Sequence, residues 1–322
     1  MLSLTRRCCI SCWSTQQGFS ASPRRLFACT SSSWSVSSTT AQFAANNVND
    51  RNTEATTKYG DGTAGLLFPS YKAHHSCRPP PPYLAVITEP DACDSDDNVK
   101  RTYTAIAQAV ANGEVDLVSI RQAKPAISDL DTEEDKEQTH AAILRRLVQL
   151  AKQLLELSTQ FPFTLVVSSD WVDVLSHVPG IHGIHVKESH REDIIPFLRQ
   201  SYPNGIIGTS AHSLESAMKA YDKYQPDYFF VGTCYVTQTH PEKTADDLEG
   251  PSLPGRIAKA LADQAPDRRP AVFAIGGIHA ENCHEPVKEY GADGVATIRA
   301  VLHSSDPAET VRKMKANMKA ED

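Results

Sequence analysis

The chain has 322 residues, 40% of them hydrophobic and 22% charged, enough apolar matter for a sizeable core and too much for wholesale disorder. Its net charge of −7 excludes nucleic-acid recognition by a broad basic face but leaves room for a local cationic pocket. No apolar run approaches the roughly 18 residues that a membrane-spanning helix needs.

The charge is unevenly spread. Residues 1–49 carry no Asp or Glu, and their basic residues are Arg6, Arg7, Arg24 and Arg25, set among many hydroxyls. Beyond that segment 28 basic residues face 39 acidic ones, a net of −11. An Arg-containing, Ser-rich, acid-free start has the composition of an organelle transit peptide. Residues 1–45 are therefore read as a leader to mitochondrion or plastid, which composition does not separate. Residues 46–82 are polar and aperiodic and end in the run Pro79 to Pro82. Such a run favours an extended chain and forbids helix, so 46–82 reads as a disordered Pro-rich linker. Cys8, Cys9, Cys12 and Cys29 fall in the leader, and Cys77, Cys93, Cys234 and Cys283 are scattered. Neither a zinc knuckle nor a disulfide framework is suggested.

Residues 83–322 read as one domain. Strand-length runs lie at Tyr83–Thr88, Val115–Arg121, Phe163–Ser169, Gly183–Val186, Ile206–Ala211, Tyr228–Thr233, Ala271–Gly277 and Gly294–Arg299. Several are continuously apolar, as parallel strands covered on both faces should be. Helical periodicity is clearest over Glu133–Leu157, where Ile143, Leu147, Leu150 and Leu154 recur at three- and four-residue steps. Ser213–Tyr224 opens on a capping Ser, and Asp306–Met318 carries Pro307 in its first turn. Eight strand–helix units in about 240 residues match a (β/α)8 TIM barrel. A doubly wound open sheet is disfavoured, because Thr88-Glu89-Pro90-Asp91 at the first strand–helix junction lacks a glycine fingerprint.

In a barrel, chemistry sits at the C-terminal strand ends. That rule selects Thr88, Arg121, Lys124, Ser169, Asp170, Lys187, His212, Thr237, Thr239, Gly276, Gly277 and Arg299. Gly276-Gly277 ends the seventh strand, where glycines let an anionic ligand approach backbone N–H groups; the pair also suits a plain tight turn. His212 has the side chain for proton transfer near neutral pH, though a helix-start His bonded locally fits as well. Thr237 and Thr239 offer hydroxyl donors. Asp170 is placed to bind a metal, orient a ligand or cap the next helix. His182 and His185, three apart on a strand, face opposite sides and make a poor metal pair; one is read as core-facing and neither as a ligand.

Taken in order, YLAVIT (83–88), VDLVSIR (115–121), GIHGIHV (180–186), IIGTSAHSLESA (206–217), DYFFVGTCYVTQT (227–239) and AIGGI with GADGVATIRAV (274–301) resemble the thiamine phosphate synthase/TenI family. The resemblance implies a (β/α)8 barrel and one of two chemistries. A synthase joins a pyrimidine diphosphate to a thiazole phosphate with Mg2+ on the pyrophosphate. A TenI-type protein isomerises a thiazole carboxylate phosphate by moving a proton, without metal.

The departures from the synthase pattern bear on that choice. Its Gln-x-Arg-x-Lys after the second strand is here Ser119, Arg121 and, one position late, Lys124. Its Asn-Asp is Ser169-Asp170, and its Gly-Gln-Glu-Asp aligns with Lys187-Glu188-Ser189-His190. The second metal Asp is thus a His, unless Glu188 or an inserted Asp193 replaces it. Thr-x-Thr-Lys keeps Thr237 and Thr239 but ends in His240, and the strand-eight Ser is Arg299. Single electrostatic contacts to a transition state are worth about 2.7–4 kcal/mol, so these losses weigh against efficient diphosphate chemistry.

The expectation is therefore a TenI-like tautomerase with no cofactor. His212 moves the proton, Arg121 pairs with the substrate carboxylate, and Gly276, Gly277 and Arg299 hold phosphate; Lys124, Ser169, Thr237 and Thr239 complete the binding set. The alternatives are a divergent synthase with Mg2+ at Asp170, and a silent barrel that binds a phosphorylated metabolite. The expected partner is a small phosphorylated heterocycle, with no nucleic acid and no membrane; a homo-oligomer is compatible with the sequence.

Overall fold

The structure, a computed structural model, describes residues 78–125, 132–238, 244–266 and 268–319. The expected leader (1–45) and all but the end of the expected linker lie outside the described residues. The strands are β1 (Tyr83–Ile87), β2 (Leu117–Ile120), β3 (Thr164–Ser168), β4 (Gly183–Val186), β5 (Ile206–Ala211), β6 (Tyr228–Val231), β7 (Ala271–Ile275) and β8 (Gly294–Thr297). All neighbours pair in parallel and β8 returns to β1, which closes the expected TIM barrel.

Six strands end one or two residues before the expected boundary, because Thr88, Arg121 and Gly276-Gly277 already belong to the rim. The helices are α1 (Asp96–Val110), α2 (Glu133–Gln160), α3 (Val174–His177), α4 (Arg191–Ser201), α5 (Leu214–Tyr224), α6 (Ser252–Gln264), α7 (Arg299–Leu302) and α8 (Pro307–Met318). Strand–helix alternation is uneven: β3 leads only to a 3-10 turn and the four-residue α3, and β7 to a π-helical turn at Glu285–Glu289. The chain between β3 and β4 is too short for a long helix. Where helices are long, their ends are capped as their residues dictate. The Thr132 hydroxyl accepts the Asp135 N–H, with Glu133, Glu134 and Asp135 in the electropositive first turn of α2. Ser213 and Asp306 cap α5 and α8 in the same way.

Alternation along each strand divides the core into two layers. Tyr83, Ala85 and Ile87 point into the barrel with Tyr228, Phe230, Phe273 and Ala296, while Leu84 and Val86 pack outward under the helices. The interior is filled by aromatic rings from β6 and β7 set against the alanines of β1, β7 and β8. Phe230 and Phe273 meet edge to face with centroids 5.7 Å apart, a favourable ring geometry.

The barrel floor is bolted by a four-fold device. The residue just before each even strand — Asp116, His182, Asp227 and Asp293 — accepts the N–H of Leu84, Leu165, Ile207 and Val272 on the preceding odd strand, at 2.7–2.8 Å. Each donates its own N–H to the carbonyl of that same residue. Three of the four are carboxylates with a cationic neighbour: Lys315, Arg199 and Arg269. The fourth is His182, whose Nδ1 accepts a bond only while unprotonated. Burial pushes its pKa down to about 4 from 6.5. The unfolded chain thus takes up a proton that the folded chain refuses, so this share of stability is complete above pH 6.5 and is lost as pH falls toward 4. It should amount to about 2 kcal/mol between pH 7.5 and pH 5. His182→Asp keeps an acceptor at the bolt and should lose that share of the acid-side slope. Urea melts at the two pH values measure it, and equal slopes in wild type and variant would remove the assignment.

Candidate active site at the barrel mouth

The C-terminal ends of all eight strands surround one cavity of about 1190 Å3. Arg121, His212, Thr237, Gly276, Gly277 and Arg299, all selected from the sequence, line it together, as does Glu188. Lys124, Ser169, Asp170 and Asp193 do not line it, and Thr239 lies outside the described residues. Lys124 is exposed beyond the point where the Ala123 N–H ties the chain to the Pro90 carbonyl, so its charge acts on His140. Ser169 is buried behind the rim in the 3-10 turn, where the hydroxyl of Ser168 receives the Asp170 N–H. Asp193 is exposed in the first turn of α4.

The wall built by β2, β3 and β4 carries two cations, Arg121 and Lys187. Thr88 clamps the start of the Arg121 loop from both sides: its hydroxyl donates to the Arg121 carbonyl at 2.7 Å and accepts the Arg121 N–H at 2.8 Å. Burial lowers the Arg121 pKa while the charge of Asp170 opposes the shift. Asp170 itself is tied to Lys187, with Nζ–Oδ2 at 2.5 Å, and Lys187 lines the cavity.

Across the barrel, β7 is followed by Gly276 and Gly277 at φ +99° and +67°, the left-handed region that glycine enters without strain. The turn is stitched to the loop after β6 by the Tyr235 N–H, which donates to the Gly276 carbonyl at 3.0 Å, and braced within its own loop by Asn282 Nδ2, which donates to the Gly277 carbonyl at 2.9 Å. Beside it Arg299, at the start of α7, donates to Gln238 at 3.0 Å and to Glu89 at 3.3 Å. Burial alone would raise the Glu89 pKa, but the bonds and charges of His303 and Arg299 outweigh it and hold the carboxyl below the ordinary value.

His212 stands between the two walls at the end of β5, half exposed. Its Nδ1 is 3.3 Å from Glu249 Oε1 and its Nε2 3.8 Å from Glu188 Oε2. Glu249 also accepts the Thr233 N–H, and Glu188 accepts the Ser216 hydroxyl beside Arg191. On the cavity floor His185 bonds Ser210 Oγ at 3.0 Å and Tyr228 Oη at 3.2 Å. Burial, with the charges of Arg121 and Arg191, pushes its pKa down to about 3, so it is neutral at physiological pH. His185 is thus the member of the histidine pair that faces the cavity, while His182 serves the floor.

Sequence reasoning did not assign a role to Lys187, His185, Glu89 or Glu249. Lys187 carried a usable signal, a cation at a strand end. Glu249 carried none, since it reaches the site from a long loop after β6. The magnesium implied by the resemblance does not fit this donor set. The ammonium of Lys187 is paired with Asp170, and His190 stands where the ungapped alignment places the second carboxylate.

A family model described as thiamine monophosphate synthase matches residues 84–301. The thiamine-phosphate synthase of Mannheimia succiniciproducens is 32% identical over 60% of this chain and 83% of its own length. That of Bacillus licheniformis is 31% identical over 53% of this chain and 70% of its own. That of Acidothermus cellulolyticus is 34% identical over 40% of this chain, and this chain spans only 61% of its length. The solved thiamine phosphate pyrophosphorylase of Pyrococcus furiosus shares the barrel, with a TM-score of 0.53 at 24% identity, over 73% of this chain and 95% of that one. The chain belongs to the thiamine monophosphate synthase family of thiamine biosynthesis.

Proposed function

We propose that the chain is a thiamine-phosphate synthase, joining a pyrimidine diphosphate to a thiazole phosphate. The observation that carries this is that two sets of groups suited to phosphate line one roomy cavity: Arg121 and Lys187 at β2–β4, and Gly276, Gly277 and Arg299 at β7–β8. Strands three and seven lie opposite each other in a closed eight-stranded ring. A cavity of about 1190 Å3 exceeds the roughly 300–1,000 Å3 typical of a single-ligand pocket. Two phosphorylated substrates use both walls. The curated relatives carry the synthase name, which favours this reading over the tautomerase expected from the departures.

In this reading the backbone N–H groups of the 276–277 turn and Arg299 hold the thiazole phosphate, with Thr237 beside them. Arg121 faces the diphosphate and neutralises charge as it departs. The thiazole nitrogen forms the new bond to the pyrimidine methylene carbon while the carbon–oxygen bond to diphosphate breaks. Neutral His185 and the ring of Phe230 form a floor on which a flat heterocycle stacks. Incubating the purified chain with both substrates should release thiamine phosphate and pyrophosphate in equal amounts.

A second reading is favoured by one observation, the placement of His212 between Glu188 and Glu249. A histidine oriented by two carboxylates suits a proton shuttle in isomerisation of a thiazole carboxylate phosphate. In that case the chain isomerises this substrate, His212→Asn abolishes the isomerisation, and no thiamine phosphate forms. Phosphate binding with turnover of neither substrate set would overturn both readings.

A further inference from the structure

We propose that Lys187 is the resident cation of a diphosphate site that works without a divalent metal. The inference rests on the synthase reading and specifies how that site handles its leaving group.

Lys187 follows β4, where the aligned synthase pattern has a glycine. Its ammonium lies 2.5 Å from Asp170 Oδ2, and the other oxygen, Oδ1, is 3.9 Å from His190 Nδ1. Both oxygens of this carboxylate therefore face nitrogen groups. A divalent ion on Asp170 would have to share this carboxylate with the ammonium, and the residue that aligns without gaps to the second metal Asp of the synthase pattern is His190. The donor set has become one that holds a cationic side chain.

The geometry suits that cation to an anionic ligand. Asp170 is nearly buried, its side chain 8% exposed, whereas the Lys187 side chain is 50% exposed and lines the cavity. The carboxylate thus pins, from behind, a head group that otherwise swings on a four-carbon stem. An ammonium has three N–H donors; with one on Asp170, two are left for phosphate oxygens. Arg121, which feels the same Asp170 charge, adds a planar fork on that wall. As the carbon–oxygen bond breaks, its electron pair stays with the diphosphate oxygen, where Lys187 and Arg121 meet the new charge. The thiazole nitrogen supplies the pair for the carbon–nitrogen bond, so the step needs no oxidant or further reactant.

The test uses the full chain, inorganic pyrophosphate and excess chelator, read by titration calorimetry. Wild type should bind pyrophosphate without metal, Lys187→Ala should bind about 30-fold more weakly, and Lys187→Arg should keep most of the affinity. In turnover, wild type should be unchanged by chelator and Lys187→Ala should lose about 100-fold in kcat. The double variant Lys187→Gly, His190→Asp restores the family pattern and should become Mg2+-dependent. Pyrophosphate binding or turnover that appears in wild type only with Mg2+, or a Lys187→Ala variant that binds as wild type does, would overturn the inference. Metal-free binding through Lys187 without any thiamine phosphate formation would uphold the site and remove the synthase reading.

Discussion

Gly276→Ala should raise KM for the thiazole phosphate and cut kcat/KM about 100-fold, the scale of losing an oriented set of backbone donors. At φ +99° an added Cβ is strained on its own account. It would also lie 2.6 Å from Thr233 Cγ2 and 2.9 Å from Thr233 Cα, so the obstacle is largely backbone that cannot swing aside. The β7 turn would have to lift off the loop after β6, to which Cys234 N–H and Tyr235 N–H bind it at 2.9 and 3.0 Å. Lifting it redirects the N–H groups assigned to phosphate. Strain of this kind costs about 1–3 kcal/mol of stability, so the variant should fold and the loss should be readable in steady-state kinetics. A Gly276→Ala enzyme with the wild-type KM would show that the phosphate sits elsewhere.

What the sequence made legible follows from which interactions are local. Parallel strands buried on both faces announce themselves as apolar runs, and a strand end is a rim position in any (β/α)8 barrel. Strand-end position alone therefore brings Arg121, His212 and Gly276 to one cavity, although they lie far apart in the chain. Lys124 failed because strand-end position does not determine where a side chain turns once the strand has ended; the bond from Ala123 to Pro90 carries it outward. The pairing of Lys187 with Asp170 was hidden for a different reason. Each residue was visible at its own strand end, but the register of β3 against β4, which sets Ser168 beside His185 and so brings the two loops together, is a tertiary fact. The four-fold bolt at the floor was obscured because one of its members is His182 rather than Asp. A pattern read by residue type does not recognise a neutral imidazole as the equivalent of a carboxylate, although both accept the same N–H.

Gly208→Ala should be strongly destabilising, at about 4 kcal/mol, beyond the usual 1–3 kcal/mol of overpacking. A Cβ at this position on β5 would fall 1.9 Å from Tyr228 Cζ and 2.2 Å from Cε1, inside the ring itself. Tyr228 is fully buried and held on every side: its hydroxyl bonds His185 Nδ1 at 3.2 Å, and its ring lies 5.0 Å from Phe230 and 5.9 Å from Phe273 between centroids. The ring cannot yield without displacing the aromatic layer that forms the cavity floor. The melting temperature should fall by about 8–16 °C for a domain of this size. Tyr228→Leu removes the obstacle at its own cost, a cavity worth a few kcal/mol. Because both changes act on one space, the double variant should be clearly more stable than the sum of the single losses, a coupling of at least about 1 kcal/mol. Additive losses, or a Gly208→Ala barrel that melts within about 2 °C of wild type, would mean that the strand can shift enough to accommodate the methyl, and that the floor under His185 is not the rigid platform on which the stacking of a heterocycle depends.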